Sequence, residues 1–362
     1  ESQRWGESHF TPVDGVLRSP ASREALVAGH GLAGVPVSPT RLEQYMSCPY
    51  QYFCERILGL EPLEAPEQIE RLSALDRGTL MHRVLHEFFA GLRDSGDFPL
   101  RRPSRAALLD RLLAVLDRRF SQAAALGLTG LPLLRDIELD RMREDLARVL
   151  DLEIDDAEAE GSAGLRPAHF EVRFGMPPRH GPGTDIPAED PLSTEDPVPL
   201  STGDADLLFK GQIDRIDRSA DGGRARVIEY KSGLMDDYED NSHHAGTSLQ
   251  VPVYLLAAER LLPGAHVEQA QYRSISRRGG FLRRGLDHEA WQGIREDLRA
   301  AGRVVQEGVA SGVFFHYPGE ELCKRCKARP VCGEEREARL ARKKSDPAAR
   351  PFLDFKEASA GR

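Results

Sequence analysis

Apolar residues in the first part of the chain recur at intervals of three and four positions, which is typical of helices that bury one face. The pattern predicts a helix opened by Ser38 and Pro39, a helix from about Leu75 to Leu92, and two further helices over residues 104–125 and 133–160. No alternation typical of strands occurs in the first 165 residues. We therefore expect this part of the chain to be helical.

The pattern changes after residue 165, where short segments alternate apolar and polar positions. The sequence Ala220-Asp221-Gly222-Gly223 is typical of a tight turn and predicts a hairpin between two of these segments. Strands flanked by helices on both sides indicate a mixed α/β core with a helical insertion. The predicted strands are His169–Phe174, Leu207–Asp217, Ala225–Lys231 and Val267–Ile275, and the predicted helices are Thr247–Leu261 and His288–Ser311.

Composition shifts along the chain suggest its organisation. Residues 1–36 have weak periodicity and are interpreted as an arm or linker, residues 37–333 as the folded domain, and residues 334–362 as a C-terminal tail. Within the domain, about 100–165 form the helical insertion and 322–333 a cysteine-rich knot. The stretch 177–204 is rich in Pro, Gly and acidic residues and is interpreted as a solvated surface loop.

Composition and charge argue against a membrane protein, a disulfide-stabilised scaffold and, taken alone, a nucleic-acid-binding protein. The chain has 362 residues, 49 Lys and Arg against 58 Asp and Glu, a net charge of −9, and only five cysteines. It lacks a long apolar run and an apolar N-terminal segment, so we expect no membrane span, no signal peptide and a cytoplasmic location. Too few cysteines are present for a disulfide scaffold. The negative charge by itself argues against a nucleic-acid partner.

A pair of carboxylates and a lysine form the sharpest chemical signal. Asp214 lies on one strand of the predicted hairpin, and Glu229 and Lys231 project to one face of the other. Two adjacent carboxylates favour a hard cation such as Mg²⁺ or Mn²⁺, and a nearby lysine can position water or neutralise developing charge. These parts suit metal-assisted phosphodiester hydrolysis. The alternative interpretation is a surface ladder of ion pairs.

The arrangement resembles the PD-(D/E)XK nuclease superfamily, and specifically its RecB-like branch, with Ile213 in place of the proline. The resemblance implies a restriction-endonuclease-like fold, a metal bound by Asp214, Glu229, His82 and the Tyr230 carbonyl, and water positioned by Lys231. It covers about residues 37–333.

Further elements of that branch occur in the expected order. His82 lies in Gly78-Thr79-Leu80-Met81-His82, Glu171 matches a supporting strand glutamate, and Gln250 and Tyr254 match a DNA-contacting QxxxY element. The alternatives are a core histidine and a polar–aromatic pair that packs on the sheet.

The cysteines are concentrated at two places. Cys323, Cys326 and Cys332 form a compact group, and Cys48 is the natural fourth ligand of an iron–sulfur site, which requires four thiolates. The pattern resembles AddB-type nucleases and the CRISPR adaptation nucleases, which implies a [4Fe–4S] cluster that ties the two ends of the domain together. Zn²⁺ in the same ligands and four unrelated buried cysteines are the alternatives, and Cys54 is expected to pack as a small apolar residue.

Basic residues cluster after the predicted active-site strands. Arg273, Arg277 and Arg278 are candidate phosphate contacts, and the alternative is an ordinary solvated hairpin. No G-x-x-x-x-G-K-[ST] motif occurs, so an ATP-driven motor is not expected in this chain.

The resemblance implies a metal-dependent DNA exonuclease or other nuclease that acts on single strands during double-strand-break processing beside an AddA-like helicase-nuclease. The chain starts without Met, as an excised C-terminal nuclease segment would. The alternatives are a non-catalytic DNA-binding scaffold of the same fold, a zinc-stapled structural module, and a stand-alone RecB-like nuclease of the CRISPR adaptation type.

Overall fold

The structure, a computed structural model, describes residue 5 and residues 8–61, 71–159, 164–178, 189–203, 205–236 and 238–359. The predicted mixed α/β core is confirmed, and most predicted elements begin and end within a few residues of the observed ones. The longer helices are α1 (Pro20–His30), α2 (Pro39–Ser47), α3 (Ala74–Ser95), α4 (Arg105–Ala125), α5 (Pro132–Glu158), α6 (Gln250–Leu261), α7 (His288–Ser311), α8 (Arg336–Lys343) and α9 (Arg350–Ser359). Shorter helical turns are Pro12–Asp14, Pro49–Tyr52, Phe53–Ile57, Arg102–Ser104, His244–Gly246, Arg277–Gly279, Glu320–Arg325 and Arg329–Cys332. None of the described helices is long and apolar enough to span a membrane.

The strands form one five-stranded sheet and one small two-stranded sheet. The large sheet has the order β1-β4-β5-β6-β7, in which β5 and β6 are parallel and all other neighbours are antiparallel. Helix α6 connects the two parallel strands, as a parallel pair requires. The strands are β1 (Arg166–Phe174), β2 (Val198–Ser201), β3 (Asp206–Phe209), β4 (Gly211–Arg218), β5 (Arg224–Lys231), β6 (His266–Ser274) and β7 (Arg283–Asp287).

The predicted hairpin between β4 and β5 is confirmed, but its first strand is shorter than predicted. The segment Leu207–Asp217 is divided at Lys210 into β3, which pairs with β2 and forms a bridge to Val37, and β4, which enters the large sheet. The stretch interpreted as a solvated loop therefore contains a strand, β2, whose residues Val198 and Leu200 are buried. Residues 179–188 of that stretch lie outside the described residues.

The large sheet separates two hydrophobic cores. Helices α3, α4 and α5 cover one face, where Phe89, Leu112 and Leu146 pack with the sheet residues Ile228 and Tyr230. Helices α2, α6, α7 and α9 contribute to the core of the other face. The helices at 105–125 and 132–158, predicted as an insertion, therefore provide the hydrophobic cover that one side of the sheet needs.

The two terminal segments are packed parts of the fold. Phe10 and Val16 are buried near the N-terminus, and Val16 forms a β-bridge with Val313. Phe352 and Phe355 of α9 belong to the same core as α2 and α7. The described residues of 1–36, interpreted as an arm, and of 334–362, interpreted as a tail, thus bury large apolar side chains in the core, and the division of the chain into domains stays a prediction.

A buried network of charges joins α5 to the sheet. Glu153 accepts hydrogen bonds from Arg215 at 2.9 Å and from Arg273 at 2.7 Å. Asp156 pairs with Arg226, Arg273 and Arg283, and Asp217 pairs with Arg215 and Arg226. Burial by itself would raise the pKa of Glu153, but the surrounding guanidinium groups outweigh it and lower that pKa to about 2. The charges compensate one another, so the helices are held to the sheet by directional bonds as well as by apolar packing.

The replacement Glu153→Gln tests the energetic role of this network. A carboxyl whose pKa falls from its usual 4.5 to about 2 on folding stabilises the folded state above pH 4.5, and that contribution is lost as the pH falls towards 2. Urea unfolding at pH 7 should show Glu153→Gln to be less stable than wild type by roughly 3–5 kcal/mol, because the arginines lose their counter-charge. The difference should shrink at pH 3. The matched control Glu144→Gln, at an exposed carboxylate, should stay within about 0.5 kcal/mol. A deficit equal at both pH values would contradict the assignment.

Candidate active site

The catalytic candidates meet where β4 and β5 separate. The register of these strands ends at the pair Arg215 and Ile228, so the next residues, Asp214 and Glu229, no longer pair through their backbones. Instead the Asp214 carboxylate accepts the Tyr230 N–H at its Oδ2 atom, at 2.8 Å. Asp214 and Glu229 are 8% and 6% exposed. The gap between the strands therefore places two carboxylates side by side in a nearly water-free position.

Helix α3 brings His82 to the same place. Its Nδ1 atom lies 3.2 Å from Asp214 Oδ1, and its ring meets the Tyr230 ring edge-on. Burial alone would lower the pKa of His82, but the neighbouring Asp214 carboxylate outweighs it and raises that pKa well above the usual range. The structure thus places His82 beside Asp214, where the sequence predicted it. His86 lies one turn further on and stacks on Phe170.

Lys231 is held over the second carboxylate. Its Nζ atom donates to Glu229 Oε1 at 3.0 Å and to Gln250 Oε1 at 2.5 Å, and it lies 5.1 Å from the centre of the Tyr272 ring. Burial opposes the charged amine, but the Glu229 carboxylate outweighs this effect, so the pKa of Lys231 is raised. Lys231 therefore carries a positive charge at neutral pH, and this charge lies next to the Glu229 carboxylate.

Glu229 has the features of an incomplete metal ligand set. Burial and the nearby Asp214 carboxylate raise the pKa of Glu229 to about 8, although Lys231 opposes this change. Its Oε2 atom is buried and has no hydrogen-bond partner among the described residues. A divalent cation would satisfy that oxygen and offset the repulsion between the two carboxylates, so the donor set fits a hard metal ion.

The side chains as they stand are not spread into a coordination shell. Within the described ranges, no three histidine, cysteine, aspartate or glutamate side chains are arranged to hold a metal ion. His82 and Lys231 hydrogen-bond to the carboxylate oxygens instead. The Tyr230 hydroxyl is engaged elsewhere, since it accepts a bond from Arg215 at 3.0 Å. Metal ligation by His82, Asp214, Glu229 and the Tyr230 carbonyl stays a prediction.

The QxxxY pair divides into a site residue and a core residue. Gln250 starts α6 and reaches both Lys231 and Glu229, with its Nε2 atom 3.3 Å from Glu229 Oε1. Tyr254 is buried and packs edge-on against Phe174, with the ring centres 6.2 Å apart. The contact between Tyr254 and DNA stays a prediction, to which the burial of the side chain gives no support.

Glu171 lies beside the carboxylate cluster. The register of β1 and β4 aligns it with Asp214, and its backbone has a positive φ of 51°. Gln212 donates a short hydrogen bond to its Oε2 atom. The negative charge of Glu171 also contributes to the raised pKa of His82. Its predicted supporting position is consistent with this placement.

The predicted phosphate contacts fare differently from one another. Arg273 is only 3% exposed and is bonded to Glu153 and Asp156, so its position gives no support to the predicted DNA contact. Arg277 is half-exposed and pairs with Glu144 and Asp145, while Arg278 is exposed. The basic sequence around these arginines gives no sign that carboxylates of α5 lie close to them.

The four predicted cluster cysteines line one cavity. Cys48 lies between α2 and the turn Pro49–Tyr52. The other three lie in or next to the short helices Glu320–Arg325 and Arg329–Cys332. Cys48 Sγ accepts the Tyr317 N–H at 3.5 Å. Burial raises the pKa of Cys48 and Cys332 to about 11. The thiols are close enough to share a cavity but are not arranged as a ligand set in the described part of the chain. The cluster stays a prediction. Cys54 is buried close to Cys48 and Cys326 but does not line the cavity.

One residue that touches the site was not identified from the sequence. The carboxylate of Glu43 accepts hydrogen bonds from the backbone of Leu249 and Gln250. These residues are more than 200 positions apart. The sequence contains no periodic or spacing signal that links them, although Glu43 lies in the segment that leads to Cys48.

Comparisons with known proteins agree with this geometry. A family model of the PD-(D/E)XK nuclease superfamily matches residues 36–333. Relatives named as one subunit of an ATP-dependent helicase/deoxyribonuclease include those of Acetivibrio thermocellus (27% identical, 66% of this chain and 19% of the relative) and Desulforudis audaxviator (31%, 62% and 17%). That of Desulfitobacterium hafniense is 31% identical over 64% of this chain and 17% of the relative. The chain thus spans less than a fifth of these relatives. On the extent of the family match, the chain belongs to the PD-(D/E)XK nuclease superfamily.

Proposed function

We propose that this chain is a metal-dependent deoxyribonuclease that hydrolyses phosphodiester bonds at the cleft between β4 and β5. The observation that carries the proposal is the meeting of Asp214, Glu229 and Lys231, with one buried Glu229 oxygen left without a partner among the described residues. Adjacent carboxylates that repel each other are costly unless a cation or a proton neutralises them. A metal ion bound at the site would offset this electrostatic repulsion between Asp214 and Glu229 in the folded state.

The proposed ligands are Asp214 and Glu229, joined by His82 and the Tyr230 carbonyl. A bound Mg²⁺ or Mn²⁺ supplies Lewis-acid polarisation of the phosphate and a more acidic water molecule. The protein residues supply orientation and charge. Lys231 remains protonated because its pKa is raised, so it suits the stabilisation of negative charge on the phosphate better than the role of a general base. Gln250 keeps the Lys231 amine directed towards the cleft.

The proposed substrate is DNA, cut as single strands during the processing of double-strand breaks. The names of the relatives describe part of a helicase/deoxyribonuclease, and we extend that role to this chain with an AddA-like helicase-nuclease as partner. Among the predicted phosphate contacts, exposed Arg278 and half-exposed Arg277 remain candidates. A cytoplasmic location fits this role.

The second part of the proposal concerns the cysteines. We propose that Cys48, Cys323, Cys326 and Cys332 bind a [4Fe–4S] cluster, with Zn²⁺ as the less favoured occupant. Support comes from the shared cavity, which draws thiols from both ends of the nuclease domain. A cluster there would cross-link segments far apart in sequence and so restrict the unfolded chain. Its role would be structural.

The replacement Lys231→Ala tests the catalytic proposal. We expect wild type to digest end-labelled single-stranded DNA when Mg²⁺ or Mn²⁺ is present and to stop when EDTA removes the metal. Lys231→Ala should be slower by about 100-fold or more, because a charge directed at the developing phosphate charge is lost. Exposed Lys344→Ala is the matched control and should retain wild-type activity. Equal digestion by wild type and Lys231→Ala would refute the assignment and favour a non-catalytic scaffold.

Replacement of the cluster cysteines tests the second part. Protein purified without oxygen should contain iron and sulfide in equal amounts and absorb visible light, and Cys326→Ser should lose both. Its Tm should fall by roughly 5 °C or more, since the link between the two ends is lost. Cys54→Ala is the control, because Cys54 is buried outside the cavity, and it should keep the iron. Zinc without iron in the wild-type protein would refute the iron–sulfur assignment.

A further inference from the structure

The loop before α6 is held in an unusual backbone conformation. His244, Ala245 and Gly246 all have positive φ angles, of 47°, 49° and 84°. Only glycine adopts this region without cost, and a non-glycine residue there is retained when its surroundings fix it. This loop leads directly to Gln250, which contacts both Lys231 and Glu229. The geometry of the nuclease centre therefore depends on how the loop is fixed.

Three contacts made by His243 and Lys356 fix the first half of the loop. His243 accepts the Gly246 N–H at its Nδ1 atom, at 3.0 Å, and its Nε2 atom lies 3.2 Å from Asp297 of α7. Lys356 of α9 donates to the Ala245 carbonyl at 2.7 Å. The loop is thus tied to two helices of the larger core, and the contribution from α9 comes from the segment that the sequence suggested was a tail.

The second half of the loop is fixed by Glu43 of α2. Glu43 Oε1 accepts the N–H of Leu249 at 2.6 Å and the N–H of Gln250 at 3.0 Å. The next N–H, that of Val251, is accepted by the Tyr272 hydroxyl at 3.2 Å. The first N–H groups of a helix have no partner within the helix, and the side chain of Leu249 cannot provide one. A carboxylate from a different helix therefore caps α6.

The cap acts at the residue that orients the catalytic lysine. Gln250 presents its carbonyl oxygen to Lys231 and its amide nitrogen to Glu229, so the direction of its side chain depends on where the first turn of α6 begins. We propose that Glu43 is a positioning residue of the nuclease centre, which acts through Gln250 to hold Lys231 and Glu229 in their relative places. This inference rests on the proposed nuclease function.

The chemistry of the cap explains why an acidic residue stands at this position. The N-terminus of a helix carries partial positive charge, and a carboxylate oxygen accepts two N–H groups at once. Burial raises the pKa of Glu43. The two N–H bonds and the positive charge of nearby Lys231 oppose this change. A glutamine at this position could still accept both N–H groups through its amide oxygen, whereas an alanine could not.

A set of variants separates a positioning role from a general structural one. Glu43→Ala removes the cap, Glu43→Gln keeps an acceptor of the same length, and Glu43→Asp keeps the charge but withdraws the oxygen. Gln250→Ala and the double variant Glu43→Ala/Gln250→Ala test whether the two residues act together. Thr40→Ala, at an exposed position of the same helix, is the matched control. The measurements are hydrogen exchange of the Leu249 and Gln250 amides, and kcat and KM for Mg²⁺-dependent digestion of single-stranded DNA.

The expected results are specific to a cap. In Glu43→Ala the two amides should exchange about tenfold faster, and kcat should fall about tenfold with KM nearly unchanged. Glu43→Gln should lie within about threefold of wild type in both measurements, and Glu43→Asp should fall between Gln and Ala. The double variant should be no slower than Gln250→Ala, because the effect of Glu43 passes through Gln250. If Glu43→Ala does not fold, Glu43→Asp decides by the same two measurements.

Two results would overturn the inference. Unchanged amide exchange in Glu43→Ala would show that the carboxylate does not hold this turn, and effects on kcat that multiply in the double variant would show that Glu43 acts by another route. Failure of the underlying function is recognised separately. A wild-type protein without Lys231-dependent digestion refutes the nuclease proposal and with it the catalytic part of this one. Amide exchange, which needs no activity, still decides whether Glu43 fixes Gln250.

Discussion

The fold of the active site depends on the acceptance of the Tyr230 N–H by the Asp214 carboxylate. In a regular hairpin that N–H would bond to a backbone carbonyl across the strand pair, but the pairing of β4 and β5 ends at Ile228, two positions earlier. A side chain thus satisfies the backbone at the point where the strands separate. The same bond fixes one Asp214 oxygen at the point of separation. The end of the strand pairing and the position of the first carboxylate are therefore one structural feature.

The neighbouring elements supply groups that balance the negative charge of the two carboxylates. Two carboxylates with little solvent repel each other, and the protein surrounds them with His82 from α3, Lys231 from β5 and Gln250 from α6. These groups come from opposite sides of the sheet, since α3 belongs to one hydrophobic core and α6 to the other. Each core therefore positions one half of the site. The buried arginine network adds to this, since Arg215 and Tyr230, which are bonded to each other, adjoin the two carboxylates in sequence.

Local and periodic features of the sequence predicted much of the structure. The bounds of α4 and α7, the β4–β5 hairpin, and the meeting of Asp214, Glu229, Lys231 and His82 all follow from periodicity or from the family resemblance. The features that the sequence does not indicate are contacts between distant segments. The basic neighbours of Arg273 in sequence suggest a DNA contact, whereas the structure pairs Arg273 with Glu153 and Asp156, from a helix more than 100 positions earlier. The division of 207–217 at Lys210 likewise depends on β2, which lies in a stretch that its acidic composition suggested was solvated.

Glu43 shows why such contacts are hidden and why they matter. A helix N-terminus needs hydrogen-bond acceptors, and sequence reasoning looks for them in the few residues before the helix, where α6 has none. The acceptor comes from α2, five residues before Cys48, while Lys356 reaches the same loop from α9, beyond Cys332. The segments on either side of the cysteine cavity therefore both reach the loop that presents Gln250. Any constraint that holds Cys48 to the later cysteines would fix the position of α2 relative to the C-terminal helices. The loop depends on that relative position, because Glu43 and Lys356 bond to it from the two sides. The cysteine cavity is thus connected to Gln250 through α2 and one hydrogen-bonded turn.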